Sequence, residues 1–87
     1  MSEVVLIHGD AWKVADIADD VAWCRTVHWL PSRYTKTGDH SHCSICWWTL
    51  AESEDANVGE GFVSQEQKWV CKECHEKFIA VAGTVAP

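Results

Sequence analysis

The sequence predicts a small α+β domain with a β-hairpin and a C-terminal helix, preceded by an N-terminal extension made of a hairpin and a helix. The first observation is the length of 87 residues. A core of this size barely offsets the conformational entropy lost on folding, so we expect an additional stabilising element such as a bound metal ion or a disulfide. The second is a pair of C-x-x-C motifs, a pattern typical of metal sites. We expect one domain over residues 1–87, with an αβ extension at 1–38 and a zinc module at 39–83.

The first predicted element is an N-terminal β-hairpin. An apolar run at residues 4–7 stops at the turn signal His8-Gly9-Asp10. Trp12 and Val14 then alternate with other residue types, as the inward positions of a second strand do.

A short helix is predicted next, over residues 21–30. Its apolar residues fit both helical and strand spacing, but Asp19 or Asp20 can accept hydrogen bonds from the free amides of a first helical turn. Pro31 ends this element because it lacks an amide hydrogen and restricts the residue before it. We interpret Cys24 as a small buried hydrophobic residue, with metal ligation or reactivity as the alternatives.

Two polar segments are predicted to be loops. Residues 31–42 form a surface loop that leads into the first cysteine pair, and the acidic residues 51–61 form a solvated loop.

The C-terminal elements are a hairpin and a helix. The hairpin has arms at 62–64 and 68–70 and delivers Cys71. The helix is predicted because Cys74, Phe78 and Val81 have helical spacing, with Gly83 as its stop.

The predicted metal ligands are Cys43, Cys46, Cys71 and Cys74, in the pattern C-x2-C-x24-C-x2-C. Each C-x-x-C turn places two sulfurs at adjacent vertices of a tetrahedron, and two turns close the shell around one structural zinc ion. Disulfides, an iron–sulfur site and a redox dithiol are the alternatives. The odd number of cysteines and their paired spacing favour metal ligation in a reducing compartment over disulfides. A closed shell leaves no position for a catalytic water, so we do not expect an enzyme.

Three histidines lie near the cysteines in the sequence. His40 and His42 flank the first pair, and His75 follows the second. Each could replace a cysteine as a ligand. Because four thiolates already satisfy zinc, we expect these histidines to form hydrogen bonds to a carbonyl group or to a ligand sulfur. The sequence offers no partner for His8 or His28.

The order of these parts resembles the treble-clef zinc fingers, such as LIM and GATA-type modules. The resemblance covers residues 40–83 and is carried by HCSICW, GFVSQEQKWV and CKECHEKFIAVAG. It implies a zinc knuckle, a hairpin, and a second cysteine pair in the first turn of a helix. The acidic Glu73 and Glu76 differ from the basic residues that follow the second pair in DNA-reading members. DHSHCSICW also resembles a D-H-x-H-C-x-x-C-W signature of small bacterial and phage-encoded proteins, which implies no particular role.

Charge and aromatic content indicate the class of partner. The formal net charge of −6 argues against nucleic acid, and no apolar run is long enough to predict a membrane partner. We expect a cytoplasmic protein that binds another protein with a basic surface, as an inhibitor or immunity-type factor. Its predicted partner surface combines exposed aromatic and acidic residues: Trp29, Tyr34, Trp48, Glu52, Glu54 and Asp55.

The neighbouring tryptophans are assigned from their positions in the chain. Trp47 and Trp69 are expected to pack beside the cysteines. Trp48 would point the other way if Trp47 and Trp48 lie on a strand. The alternative function is single-stranded nucleic-acid binding, with aromatic rings stacked on bases and cations on phosphates: Trp29, Tyr34, Trp48, Arg33 and Lys36.

Overall fold

The structure, a computed structural model, describes residues 3–80 and has the predicted α+β class. None of the helices in this part of the chain has the length and apolar character needed to span a membrane. The elements, numbered in chain order, are β1 (Val4–Ile7), β2 (Asp10–Lys13), α1 (Val14–Cys24), β3 (Leu30–Arg33), β4 (His40–His42), β5 (Thr49–Ala51), α2 (Ala56–Gly59), β6 (Glu60–Val63), β7 (Trp69–Cys71), α3 (Lys72–Cys74) and a π-helical segment (His75–Ala80).

Strands β1 and β2 form the predicted N-terminal hairpin. They pair antiparallel, with Ile7 opposite Asp10. The two residues between them, His8 and Gly9, have φ angles of 51° and 82°. Two positive φ angles are what a tight two-residue turn needs if it is to follow the twist of the strands.

Helix α1 lies earlier in the chain than predicted. It begins at Val14, a residue predicted to lie in the second strand, and the predicted caps Asp19 and Asp20 lie inside it. The prediction of a helix at 21–30 with an aspartate cap is therefore wrong. The helical spacing of buried residues begins at Ile17, before Asp19 and Asp20. The buried inner face of α1 consists of three residues spaced by four and three positions: Ile17, Val21 and Cys24.

The central sheet has the strand order β3-β6-β7, and its pairs are antiparallel. Strands β6 and β7 are the predicted hairpin, with Phe62 opposite Val70. Strand β3 pairs with β6 and places Pro31 opposite Phe62, so the predicted loop at 31–42 begins in a strand. The proline is tolerated because β3 is an edge strand, where the missing amide hydrogen can face outward.

Two further elements lie where loops were predicted. Strand β4 pairs with β5, with Ser41 opposite Leu50, and the first cysteine pair lies between these strands. The acidic segment at 51–61 contains α2, whose Asn57 amide donates a 2.9 Å hydrogen bond to the side chain of Asp55. These elements span three or four residues each, which is too short to show a period in the sequence.

The C-terminal segment is helical, as predicted, but changes type. It is α-helical over Lys72–Cys74 and continues as a π-helix over His75–Ala80. Phe78 in this segment packs against the core. The predicted helix residues Val81 and Gly83 lie outside the described residues.

The core joins the N-terminal extension to the cysteine pairs. A larger buried cluster combines the inner face of α1 with the cysteines, and a smaller one combines Tyr34, Leu50 and Trp69. Trp48 packs against both clusters. Each buried cluster therefore contains residues from both predicted parts of the chain, before and after position 38.

Candidate metal centre

The four predicted ligands converge in the core. The sulfur atoms of Cys43, Cys46, Cys71 and Cys74 lie within 4.8 Å of one another, and all four residues are buried. The sulfurs of Cys46 and Cys71 are 3.7 Å apart. A tetrahedron with metal–sulfur bonds of about 2.3 Å has edges of about 3.8 Å. The spacing of the sulfurs therefore fits a tetrahedral metal ion.

The first cysteine pair lies in the turn between β4 and β5. The Cys43 amide donates a 2.8 Å hydrogen bond to the Trp48 carbonyl, and the Trp47 amide donates a 3.0 Å hydrogen bond to the Cys43 carbonyl. The Ile45 amide also donates to the Cys43 sulfur, at 3.4 Å. Trp47 has a φ of 66°, and this left-handed residue turns the chain back toward β5. The backbone thus fixes the turn and directs an amide at a ligand sulfur.

The second pair lies where β7 ends and α3 begins. The Cys74 amide donates a 3.4 Å hydrogen bond to the Cys71 sulfur, which caps the first turn of α3. The two pairs are joined through the Trp69 carbonyl, which accepts hydrogen bonds from the Ser44 amide at 2.8 Å and the Ser44 hydroxyl at 2.9 Å. Strand β7 therefore positions both pairs.

Electrostatics within the cluster favour a bound cation. The pKa of Cys43 is lowered because Cys46, Cys71 and Cys74 donate hydrogen bonds to its sulfur. The pKa values of Cys71 and Cys74 are raised, first because each donates to Cys43, and further because burial and the charge on Cys43 oppose another thiolate. Four thiolates can coexist here when a cation compensates their charge, and soft sulfur donors select thiophilic metals.

A histidine without a partner in the sequence analysis contacts this cluster. The Nε2 atom of His8 lies 3.3 Å from the Cys71 sulfur, although 63 positions separate the two residues. The His8 ring also stacks on Trp48, with 3.7 Å between the ring centroids. The signal in the sequence was a histidine before a glycine in a tight turn, where Asn, Asp or Gly is usual.

Two of the three aromatic residues predicted to face a partner are buried. Trp29 is 8% exposed and Tyr34 is 5% exposed. The Trp29 indole donates a 2.8 Å hydrogen bond to the Cys24 carbonyl, which satisfies its polar group inside the core. Tyr34 packs on Trp69, with ring centroids 5.3 Å apart. The prediction that Trp29 and Tyr34 are exposed is therefore wrong.

Trp47 and Trp48 lie in surroundings opposite to those predicted for them. Trp47, expected to cover the cysteines, is 67% exposed. Trp48, expected to be exposed, is half-buried and donates a 2.7 Å hydrogen bond to the Asn57 carbonyl. The assignments are wrong because the two residues do not lie on a strand, so strand alternation does not apply. Trp69 is buried beside the cysteines, as predicted.

The histidines near the pairs lie outside the group of potential metal ligands in the described part of the chain. His42 is exposed, and its Nδ1 atom lies 3.2 Å from the Trp47 carbonyl oxygen, a contact of the predicted kind. His40 is exposed beside it, with 5.0 Å between the two rings. His75 stacks on Phe62 at 3.5 Å, and burial lowers the pKa of His75. The four sulfurs therefore form the group without a histidine.

The fifth cysteine, Cys24, is buried in the core. Burial, followed by the charges of Cys43 and Asp20, raises the pKa of Cys24 to about 12. Its thiol is therefore protonated at neutral pH and is a poor nucleophile. Its burial confirms the interpretation of Cys24 as a buried core residue, and its lack of reactivity stays a prediction.

The acidic residues predicted to face a partner are exposed, and two of them also have local contacts. Glu52 accepts a 3.1 Å hydrogen bond from the Thr37 hydroxyl, and Asp55 caps α2. Glu54 is exposed next to them. Their role toward a partner stays a prediction.

No family model, no curated protein and no solved structure matches this chain.

Proposed function

We propose that the protein is a small zinc-binding module in which one structural zinc ion stabilises a surface that binds another protein. The observation that supports the metal site is the convergence of four buried sulfurs at tetrahedral spacing. Zinc accepts four thiolates in a closed tetrahedral shell. Because the protein fills the whole shell, the ion would stabilise the fold, and we propose no enzymatic activity. The proposed ligands are Cys43, Cys46, Cys71 and Cys74.

We also propose that the module is a treble-clef zinc finger. The order of its parts supports this assignment: a cysteine turn between β4 and β5, the β6–β7 hairpin, and a cysteine pair at the start of α3. Strand β3 and the N-terminal hairpin and helix would then be additions to that unit.

Trp47 supports the protein-binding part of the proposal. It is exposed, and its φ of 66° costs a residue with a side chain about 1–2 kcal/mol, whereas glycine adopts such an angle freely. A bulky aromatic residue at a costly backbone position suggests that its side chain has a function. Its ring lies 5.8 Å from that of exposed His42, so the two rings form one surface.

Charge indicates a basic partner. The net charge of −6, together with exposed Glu52, Glu54 and Asp55, would attract a basic surface and speed association. An inhibitor that covers a basic cleft of another protein fits these properties. Single-stranded nucleic acid is the weaker alternative, because the buried rings of Trp29 and Tyr34 are not free to stack on bases.

Elemental analysis of the full-length protein, purified without chelators, tests the metal site. We expect about one zinc ion per chain in the wild type and in His42→Ala, and loss of the metal in Cys71→Ser. A colourless protein would distinguish zinc from an iron–sulfur cluster. A metal-to-chain ratio near zero in the wild type would contradict the proposal.

Affinity capture from the native cell tests the binding surface. Trp47→Ala should lose the captured protein, and Trp23→Ala, which removes another partly exposed tryptophan, should retain it.

Replacing Glu52, Glu54 and Asp55 together by their amides should slow association at low ionic strength, because exposed charges steer at long range and are screened by salt. Capture that does not depend on Trp47, or tight oligonucleotide binding with a steep salt dependence, would contradict the proposal.

A further inference from the structure

His8 has a left-handed backbone conformation, which is uncommon for a residue other than glycine. It is the first residue of the tight turn between β1 and β2, with a φ of 51°, where Asn, Asp or Gly is usual. Its side chain is nevertheless directed into the fold and is 15% exposed. The burial of a ring carried by a turn residue suggests that the ring itself has a role.

The ring of His8 is held on its face and at its edge. Its face stacks on Trp48 at 3.7 Å and 14°, and the hydrogen bond from Trp48 to the Asn57 carbonyl fixes the indole. At its edge, Nε2 lies 3.3 Å from the Cys71 sulfur. A metal-bound thiolate has no hydrogen to donate, so Nε2 would carry the hydrogen in this contact.

The C-terminal helical segment holds the hairpin in this position. The His8 amide donates a 2.8 Å hydrogen bond to Glu73, and Glu73 pairs with Lys77 at 3.3 Å. The Lys77 ammonium group in turn donates to the Leu6 carbonyl. The turn and the strand before it are therefore attached to the segment around the second cysteine pair.

We propose that His8 is a positioning residue of the metal centre, whose Nε2–H group stabilises the metal-bound Cys71 thiolate and couples the N-terminal hairpin to metal binding. This inference rests on the metal site of the proposed function. A donor at the sulfur offsets part of its negative charge, and outer hydrogen bonds of this kind change metal affinity about 10–100-fold. Because coupling is reciprocal, metal binding stabilises the docked hairpin by the same factor.

Two substitutions separate the ring's hydrogen bond from its place in the turn. In the full-length protein, His8→Asn keeps a residue that favours the turn but places no N–H group at the sulfur. His8→Gln is the poorer turn residue, yet its amide can place an N–H group near the position of Nε2. The matched control is His28→Asn, which changes an exposed histidine.

Zinc affinity is measured by competition with a chromophoric chelator. We expect His8→Asn to bind zinc at least about 10-fold more weakly than the wild type, His8→Gln to recover part of the loss, and the control to match the wild type. With Co²⁺ in place of zinc, the thiolate-to-metal charge-transfer band should move to longer wavelength in His8→Asn and return toward the wild-type position in His8→Gln.

The ranking of the variants by zinc affinity tests the inference. It is overturned if His8→Asn binds zinc as tightly as the wild type, or if His8→Gln binds no better than His8→Asn, including the case in which neither binds. The proposed function survives either result. A wild-type protein that binds no metal overturns the proposed function and, with it, this inference.

Discussion

Trp47 and Trp48 follow each other in the chain but have different physical roles. Trp48 contacts both buried clusters and stacks on His8, so its ring contributes to the core around the cysteines. Trp47 is exposed, and its backbone has the left-handed conformation that ends the first cysteine turn. Removing the Trp48 ring should therefore lower the stability of the fold, and removing the Trp47 ring should change the exposed surface.

We expect Trp48→Ala to lower the free energy of unfolding of the zinc-loaded protein by about 3 kcal/mol, as for other core aromatic truncations. Trp47→Gly should leave it unchanged or raise it by up to about 1 kcal/mol, because glycine relieves the strain of the left-handed backbone. Chemical denaturation measures both values. A larger loss for Trp47→Gly than for Trp48→Ala would show that Trp47 belongs to the core.

Cys24 should be structural and unreactive. We expect Cys24→Ala to keep one metal ion per chain and to lower the free energy of unfolding by about 1 kcal/mol, as for an ordinary core substitution. In the folded wild type, Cys24 should resist iodoacetamide at neutral pH because its pKa is raised to about 12. Mass spectrometry of the treated protein checks this, and rapid modification of Cys24 would be the contrary result.

At the scale of elements, local signals predicted the two hairpins correctly. Strand β1 ends at a turn with a glycine, and the β6–β7 hairpin shows β-type residues on both sides of a polar turn. Strand β3 was missed because its partner lies about 30 positions away in the chain and because Pro31 suggests a break. The start of α1 was misplaced because its first residues also fit the alternation of a strand.

Gly59, at the junction of α2 and β6, has no room for a side chain. A Cβ atom at this position would overlap the Ser53 carbonyl oxygen, and the Gly59 carbonyl accepts a 2.7 Å hydrogen bond from the Tyr34 amide. Gly59→Ala should therefore lower the free energy of unfolding by about 2 kcal/mol, as overpacking commonly does.

Gly38→Asn is the control for this substitution. Gly38 has a φ of 79° with open space around it, and asparagine tolerates that angle, so its effect should be below about 1 kcal/mol. Equal stability of Gly59→Ala and the wild type in a denaturant titration would contradict the close approach at the junction.

At the scale of the whole molecule, the four-cysteine cluster belongs to the C-terminal part and is contacted by His8 and by the N-terminal helix. The spacing within each cysteine pair is a local feature, which is why the sequence predicted the four candidate ligands. The contact of His8 with Cys71 joins residues 63 positions apart, and no local pattern contains that pairing. The burial of Trp29 and Tyr34 likewise depends on tertiary contacts, so composition alone did not predict which aromatic residues are exposed.

Metal removal followed by thermal unfolding tests the central claim most directly. Binding of a structural zinc ion can contribute about 10–16 kcal/mol, compared with about 5–15 kcal/mol for the whole stability of a typical domain. We therefore predict that the chelated protein loses its cooperative transition and its dispersed amide resonances in both parts of the chain, and that one equivalent of zinc restores them. A chelated protein that unfolds cooperatively at the same temperature as the zinc-loaded form would contradict the claim that a metal bound by the four cysteines stabilises this fold.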